Sequence, residues 1–167
     1  MWLFNVRDND RGFTLLEMIV VVLLIGIISA IATPSILSSL ERNKLDTALN
    51  YLRGSLEESQ REAMRKSRSC PVTINPTNRT ITGDCLITGS RTLDSGITIL
   101  PNSNTTITFS FKGNTTNNAT IVLYMSGNAN SQEKRCLAIS EGVGILRTGI
   151  YSGSTSFINE SNCSAKL

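Results

Sequence analysis

The sequence predicts an α+β protein in which one long N-terminal helix, part membrane-embedded and part amphipathic, packs on an antiparallel β-sheet domain. The first observation is an apolar run from Phe13 to Ile31 that passes into a stretch with helical periodicity. The second is a change of pattern after Ser69, where short β-rich segments alternate with Gly, Asn, Pro and Ser. A chain of 167 residues has the length of one domain with attachments.

The apolar run is long enough to cross a bilayer as a helix, because about 18 consecutive apolar residues suffice. Its only charge is Glu17. A carboxylate at the centre of a membrane helix costs roughly 2.5–3.5 kcal/mol, and less near its end. The position therefore requires a partner or hydration by headgroups. Arg7 and Arg11, on the N-terminal side, favour a cytoplasmic N-terminus and an exported C-terminal part.

Beyond Pro34 the helix is predicted to continue, with a kink at the proline because it removes one backbone hydrogen bond. Apolar residues recur at spacings of three and four up to about Ser67, which indicates one buried helical stripe. The stripe consists of Leu45, Ala48, Leu49, Leu52, Leu56 and Ala63. Four cations close the helix, and they either complement its dipole or form a patch for an anionic partner. They are Arg61, Arg65, Lys66 and Arg68.

The second half of the chain is predicted to form eight strands of an antiparallel sheet. The predicted strands are Val72–Asn75, Thr80–Thr82, Cys85–Thr88, Ile97–Leu100, Thr105–Phe111, Ala119–Met125, Cys136–Ser140 and Gly144–Thr148. In the fifth strand, alternation places Ile107, Phe109 and Phe111 toward the core.

The composition argues against an enzyme. The chain contains no histidine, which excludes Ser-His-Asp and Cys-His catalytic arrangements and the commonest metal ligand. We therefore predict no catalytic, cofactor-binding or metal-ligating residue, and no cofactor. A net charge of +3 selects no class of partner.

The four cysteines all follow the apolar run, and an even number in an exported segment predicts disulfides. Three connectivities are open, and we favour Cys70–Cys85, across one hairpin, and Cys136–Cys163, which would hold the C-terminal tail on a strand. A zinc site is the weaker alternative, because no C-x-x-C pair occurs.

The segment Gly12-Phe13-Thr14-Leu15-Leu16-Glu17, followed by the apolar run and Pro34, resembles the N-terminus of type IV pilins and pseudopilins. The resemblance implies cleavage between Gly12 and Phe13 by a prepilin peptidase, which also N-methylates Phe13. It implies a leader over residues 1–12, a membrane and assembly half of the helix over 13–33, an amphipathic half over 34–68 and an exported domain over 69–167. The implied partners are the inner membrane and other pilin subunits. Glu17 would meet the α-amine of Phe13 in its own chain or in a neighbouring subunit.

The strand half resembles, more loosely, the GspH/FimT branch of minor pseudopilins and minor pilins. This resemblance is carried by 107–113, 120–123 and 136–147, with 42–49 and 61–63 in the helix. It implies a structural subunit of a type IV pilus, or of a type II secretion pseudopilus that meets secreted cargo. The alternative is a FimT-like subunit that binds DNA, with Arg147, Lys134 and Arg135 as candidate phosphate contacts.

Overall fold

The computed structural model describes residues 12–102, 105–127 and 133–165, apart from the side chains of 31–35. The chain divides into two compact units, Met1–Ser39 and Leu40–Leu167, and each is described by itself.

Helix α1 runs from Leu15 to Lys66. Thr14 precedes the helix and caps it. Its Oγ1 accepts a hydrogen bond from the N–H of Glu17 at 3.2 Å, and its carbonyl accepts one from the N–H of Met18. A threonine with a glutamate three residues later is the sequence of a capping box. The helical backbone continues through Pro34, which confirms the predicted long helix, and the kink stays a prediction.

The helix ends at Lys66, where Ser67 takes a left-handed φ of 49°. The N–H of Arg68 then donates to the carbonyl of Ala63 at 3.2 Å, which satisfies one carbonyl of the last turn.

In the first unit, every described side chain of α1 is exposed. The large apolar ones among them are between 41% and 78% exposed. Among the described residues, no helix combines the length and apolar character that a membrane crossing needs.

The second unit contains nine strands within its described residues, all paired antiparallel. They are β1 Cys70–Asn75, β2 Thr80–Gly83, β3 Arg91–Thr92, β4 Ile97–Pro101, β5 Thr106–Phe109, β6 Ala119–Met125, β7 Arg135–Ile139, β8 Leu146–Tyr151 and β9 Cys163–Ala165. One sheet has the order β3-β2-β1-β5 and the other β4-β6-β7-β8-β9. The predicted α+β class is therefore confirmed, with two sheets in place of the one expected.

One strand prediction is wrong and another begins two residues early. Residues 85–88 form turns, because Cys85 is bonded to Cys70 and the N–H of Ile87 donates to Glu58 Oε1 of α1 at 2.7 Å. β8 starts at Leu146 and not at Gly144, whose φ of +67° belongs to a turn.

The predicted core of the fifth strand is partly wrong as well. Ile107 and Phe109 are buried, but β5 ends at Phe109. Phe111 lies in the turn that follows and is exposed.

The core forms where the amphipathic part of α1 packs with buried residues of both sheets. All six residues of the predicted stripe are buried, which confirms it. Three polar residues at the same helical spacing, Ser55, Ser59 and Glu62, are buried with them and were not predicted.

Both predicted disulfides are present in the structure. Cys70–Cys85 joins β1 to the turn after β2, and Cys136–Cys163 joins β7 to β9, with Cα atoms 5.7 and 5.8 Å apart. Cys136 belongs to a second, smaller cluster with Val122 and Tyr151. The C-terminal segment is thereby held on the five-stranded sheet.

Candidate assembly site

The residues before α1 leave the predicted cleavage bond accessible. Gly12, Phe13 and Thr14 precede the helix, and all three are exposed. Among the described residues, and apart from its chain neighbours, no heavy atom lies within 4 Å of the point that a Cβ of Gly12 would occupy. The described part of the chain thus presents a small residue, an aromatic side chain and the capped start of a helix.

Glu17 occupies the first turn of α1, and its side chain is exposed. A carboxylate is favoured there because the N-terminal end of a helix carries partial positive charge. The same position leaves the carboxylate one helical turn from Phe13. The carboxylate can therefore stabilise its own helix through the helix dipole, and it remains accessible to a cation from another chain.

Two of the three predicted DNA contacts are buried in the structure. Lys134 is buried, and its Nζ donates to the carbonyl of Gly153 at 3.2 Å. Arg135 is only 4% exposed, and its Nε lies 2.5 Å from Asp46 Oδ1. Neither side chain is presented to a nucleic acid.

Arg135 belongs to an ion-pair network between α1 and the start of β7. Its Nη1 lies 3.3 Å from Glu133 Oε2, and Glu133 Oε1 lies 2.8 Å from Arg42 Nη2. Burial alone would lower the pKa of Arg135, but the hydrogen bond and charge of Asp46 outweigh it and raise that pKa. The network therefore fastens the helix to the sheet.

Arg147, the third candidate, is exposed and paired with Glu160. Its charge is offset by a neighbouring carboxylate, and an isolated cation of this kind does not make a phosphate-binding surface.

The basic cluster at the end of α1 is largely engaged within the chain. Arg65 and Lys66 lie 2.7 and 3.1 Å from Glu62 Oε2. The hydrogen bond from Arg65, supported by Lys66 and opposed by burial, lowers the pKa of Glu62 from 4.5 to about 2. Arg68 donates to the carbonyl of Asp84 at 3.3 Å. These contacts favour the structural account of the cluster over an anion-binding patch.

Comparison with known proteins connects this geometry to a family. Residues 7–33 match the model of the prokaryotic N-terminal methylation motif. The type IV minor pilin FimU of Pseudomonas aeruginosa shares the fold, with a TM-score of 0.54 and 18% identity over 72% of this chain and 96% of that one. The chain carries this motif and has the fold of that minor pilin.

A second crystal form of FimU gives a TM-score of 0.52 at 16% identity, over 70% of this chain and 98% of that one. The minor pseudopilin EpsH from the type 2 secretion system of Vibrio cholerae gives 0.50 at 15% identity, over 62% and 94%. At identities this low, the comparison of structures establishes a common fold. No curated protein matches the sequence.

Sequence reasoning missed several residues that shape the surface of this pilin-like chain. Glu58 and Arg91 pair across α1 and β3, and Arg91 also donates to Ser55 Oγ at 3.0 Å. Such pairs join residues far apart in the sequence and leave no local signal, so the sequence pattern does not predict them.

Within the described residues, no group of three or more His, Cys, Asp or Glu is arranged to hold a metal.

Proposed function

We propose that the chain is a minor pilin or pseudopilin subunit that is anchored in the inner membrane and then incorporated into a type IV pilus or a type II secretion pseudopilus. The observation that supports this most strongly is the coincidence of two features at the N-terminus. The methylation motif matches 7–33, and the same stretch of α1 carries exposed apolar side chains.

Processing is the first step of the proposal. A prepilin peptidase removes residues 1–12 by cutting after Gly12, and the same enzyme methylates the new α-amine of Phe13. The accessible backbone at Gly12 supports cleavage there, because nothing in the described chain crowds that residue. Thr14 keeps its cap after the cut, since its oxygen accepts from Glu17 and not from the leader.

Anchoring follows from the apolar part of α1. Burying one large apolar side chain is worth about 1.5–3 kcal/mol, so a row of exposed ones favours transfer into lipid or against neighbouring helices. The second unit then lies outside the cytoplasm. Its two disulfides are consistent with an oxidising compartment.

Glu17 supplies the register of assembly in this proposal. The carboxylate meets the α-amine of Phe13 from a neighbouring subunit, and such a pair attracts more strongly in an apolar environment than in water. A carboxylate left unpaired in that environment is costly, so misaligned subunits are disfavoured. The first-turn position of Glu17 also complements the helix dipole.

No observation favours the DNA-binding alternative. Two of its three candidate cations are buried and the third is paired with Glu160. Secreted cargo likewise has no identified surface in the described residues.

The proposal is tested by incorporation into filaments. Glu17→Gln introduces glutamine, which a capping box accepts at this position as well as glutamate. The substitution therefore removes only the charge. We expect the variant to reach the membrane in normal amount and to be depleted from sheared filaments. Glu41→Gln, an exposed change further along α1, is the matched control and should leave incorporation unchanged. Equal incorporation of Glu17→Gln would refute the pairing role, and absence of the unaltered chain from filaments would refute the function itself.

A further inference from the structure

Two turns of the second unit lie against each other beside the C-terminal part of α1. Gln60 Nε2 donates to the carbonyl of Gly113 at 2.7 Å and to that of Gly144 at 3.0 Å. Gly113 and Gly144 have left-handed φ values of 80° and 67°, and a Cβ on Gly144 would lie 2.4 Å from the carbonyl oxygen of Gly113. The N–H of Gly142 also donates to the carbonyl of Thr115 at 3.0 Å. These contacts hold the two turns in one fixed arrangement.

Four large apolar side chains are exposed around this contact, and we refer to them as the turn patch. They are Met64, Phe111, Val143 and Ile145, between 45% and 63% exposed. Val143 and Ile145 flank Gly144, so their Cα atoms are each about 3.8 Å from that of Gly144. Met64 Sδ lies 2.9 Å from the point that a Cβ of Gly113 would occupy. A cluster of exposed apolar groups on a rigid support is typical of an interaction surface.

The turn patch carries one cation and one carboxylate on its two different turns. Lys112 is exposed and lies over the ring of Phe111, with its Nζ 5.6 Å from the ring centroid. Glu141 is exposed on the opposite turn. Within the described residues, neither side chain has an ion-pair partner.

We propose that the turn patch is a two-fold contact between two copies of this chain. In an isologous interface the same patch is used twice, so Lys112 of each copy meets Glu141 of the other while the apolar side chains meet in the centre. An anionic partner, such as DNA or an acidic membrane, would be repelled by Glu141. A cationic partner would be repelled by Lys112. A second copy satisfies both charges.

The contact is small, because four half-exposed side chains per copy bury less than the roughly 800 Å² per partner of a stable interface. It is therefore weak and depends on a high local concentration. An anchor that confines two copies to one membrane supplies that concentration, and this step alone rests on the proposed function.

The experiment uses the full chain in detergent micelles and a short bis-maleimide cross-linker. All four native cysteines are in disulfides, so a single introduced cysteine is the only reactive thiol. Val143→Cys should give a cross-linked dimer. The matched control Ile87→Cys is 71% exposed in a turn outside the turn patch and should stay monomeric. The control also reports association through the apolar helices, which would cross-link both variants alike.

Charge-exchange substitutions in the Val143→Cys variant then test whether Lys112 of one copy pairs with Glu141 of the other. Lys112→Glu and Glu141→Lys should each lower the dimer yield about tenfold, and the double exchange should restore it. Equal cross-linking at positions 87 and 143, or a double exchange that does not restore the dimer, would overturn the proposal. The result is independent of leader cleavage and methylation, so its failure is distinguishable from failure of the proposed function.

Discussion

Arg135 is held at 4% exposure between two carboxylates, Asp46 at 2.5 Å and Glu133 at 3.3 Å. Arg135→Met removes the cation that pairs with Asp46 and Glu133. We expect the free energy of unfolding to fall by about 2 kcal/mol, below the 3–5 kcal/mol of a fully buried pair, because Asp46 is 35% exposed and water recovers part of the cost. Denaturant unfolding of the full chain measures the change.

The control for Arg135 is Arg147→Ala, which breaks the exposed pair with Glu160. Surface ion pairs contribute little to stability, so we expect Arg147→Ala to change the free energy of unfolding by no more than about 0.5 kcal/mol. Equal losses for the two variants would contradict the anchoring role of Arg135.

Glu62 makes the fold sensitive to acid. Its pKa falls from 4.5 to about 2 because of Arg65 first and Lys66 second, against the effect of burial. The unfolded chain therefore binds this proton more readily than the folded one, so the contribution to stability is complete above about pH 4.5 and is lost as the pH falls toward 2.

The measurement compares Glu62→Gln with the unaltered chain by denaturant unfolding at pH 7, 4.5 and 2.5. We expect the variant to be less stable at pH 7, with a similar difference at pH 4.5 and a much smaller one at pH 2.5. Glu41→Gln, an exposed change without an ion-pair partner in the described residues, should match the unaltered chain throughout. A constant difference for Glu62→Gln across the series would show that the pairs with Arg65 and Lys66 are not responsible.

Among the elements, the pair of turns at Gly113 and Gly144 depends on a missing side chain. Gly144→Ala places a Cβ 2.4 Å from a backbone oxygen at a left-handed φ, so strain and a clash act together. Gly89→Ala also meets a positive φ, of 75°, but in open space. We expect about 1 kcal/mol of destabilisation for Gly89→Ala and clearly more for Gly144→Ala, measured by thermal unfolding. Equal shifts would mean that the two turns separate freely.

The elements also show what pattern reading recovers. Apolar spacing located the buried stripe of α1, because a helix face is fixed by local geometry. The same reasoning placed Ile87 and Phe111 wrongly, since a β-branched or aromatic residue marks a strand only where a neighbouring strand pairs with it. Ile87 donates its N–H to Glu58 of the helix, and Phe111 follows the end of β5.

The candidate site divides in the same way. The motif proposed for processing is local, and the sequence alone predicts it at Gly12 to Glu17. The surface cations are not local, because Arg135 meets a carboxylate 89 positions away. A sequence shows that a residue is basic, and its partner decides whether the charge is available.

At the scale of the whole molecule, the two units have opposite surfaces. The described part of the first unit exposes its apolar side chains, whereas the second buries most of its own in a core and carries two disulfides. Under the proposed function, leader cleavage and methylation change the covalent structure at the start of the first unit. The central claim therefore concerns the bond between Gly12 and Phe13.

The most direct test is the mass and N-terminal sequence of the chain after co-expression with a prepilin peptidase. We predict loss of residues 1–12 and a single methyl group on the α-amine of Phe13. Gly12→Leu should leave the leader in place, because a bulky residue then replaces the glycine before the cut. A chain that keeps its leader with Gly12 intact, or is cut at another bond, would contradict the account.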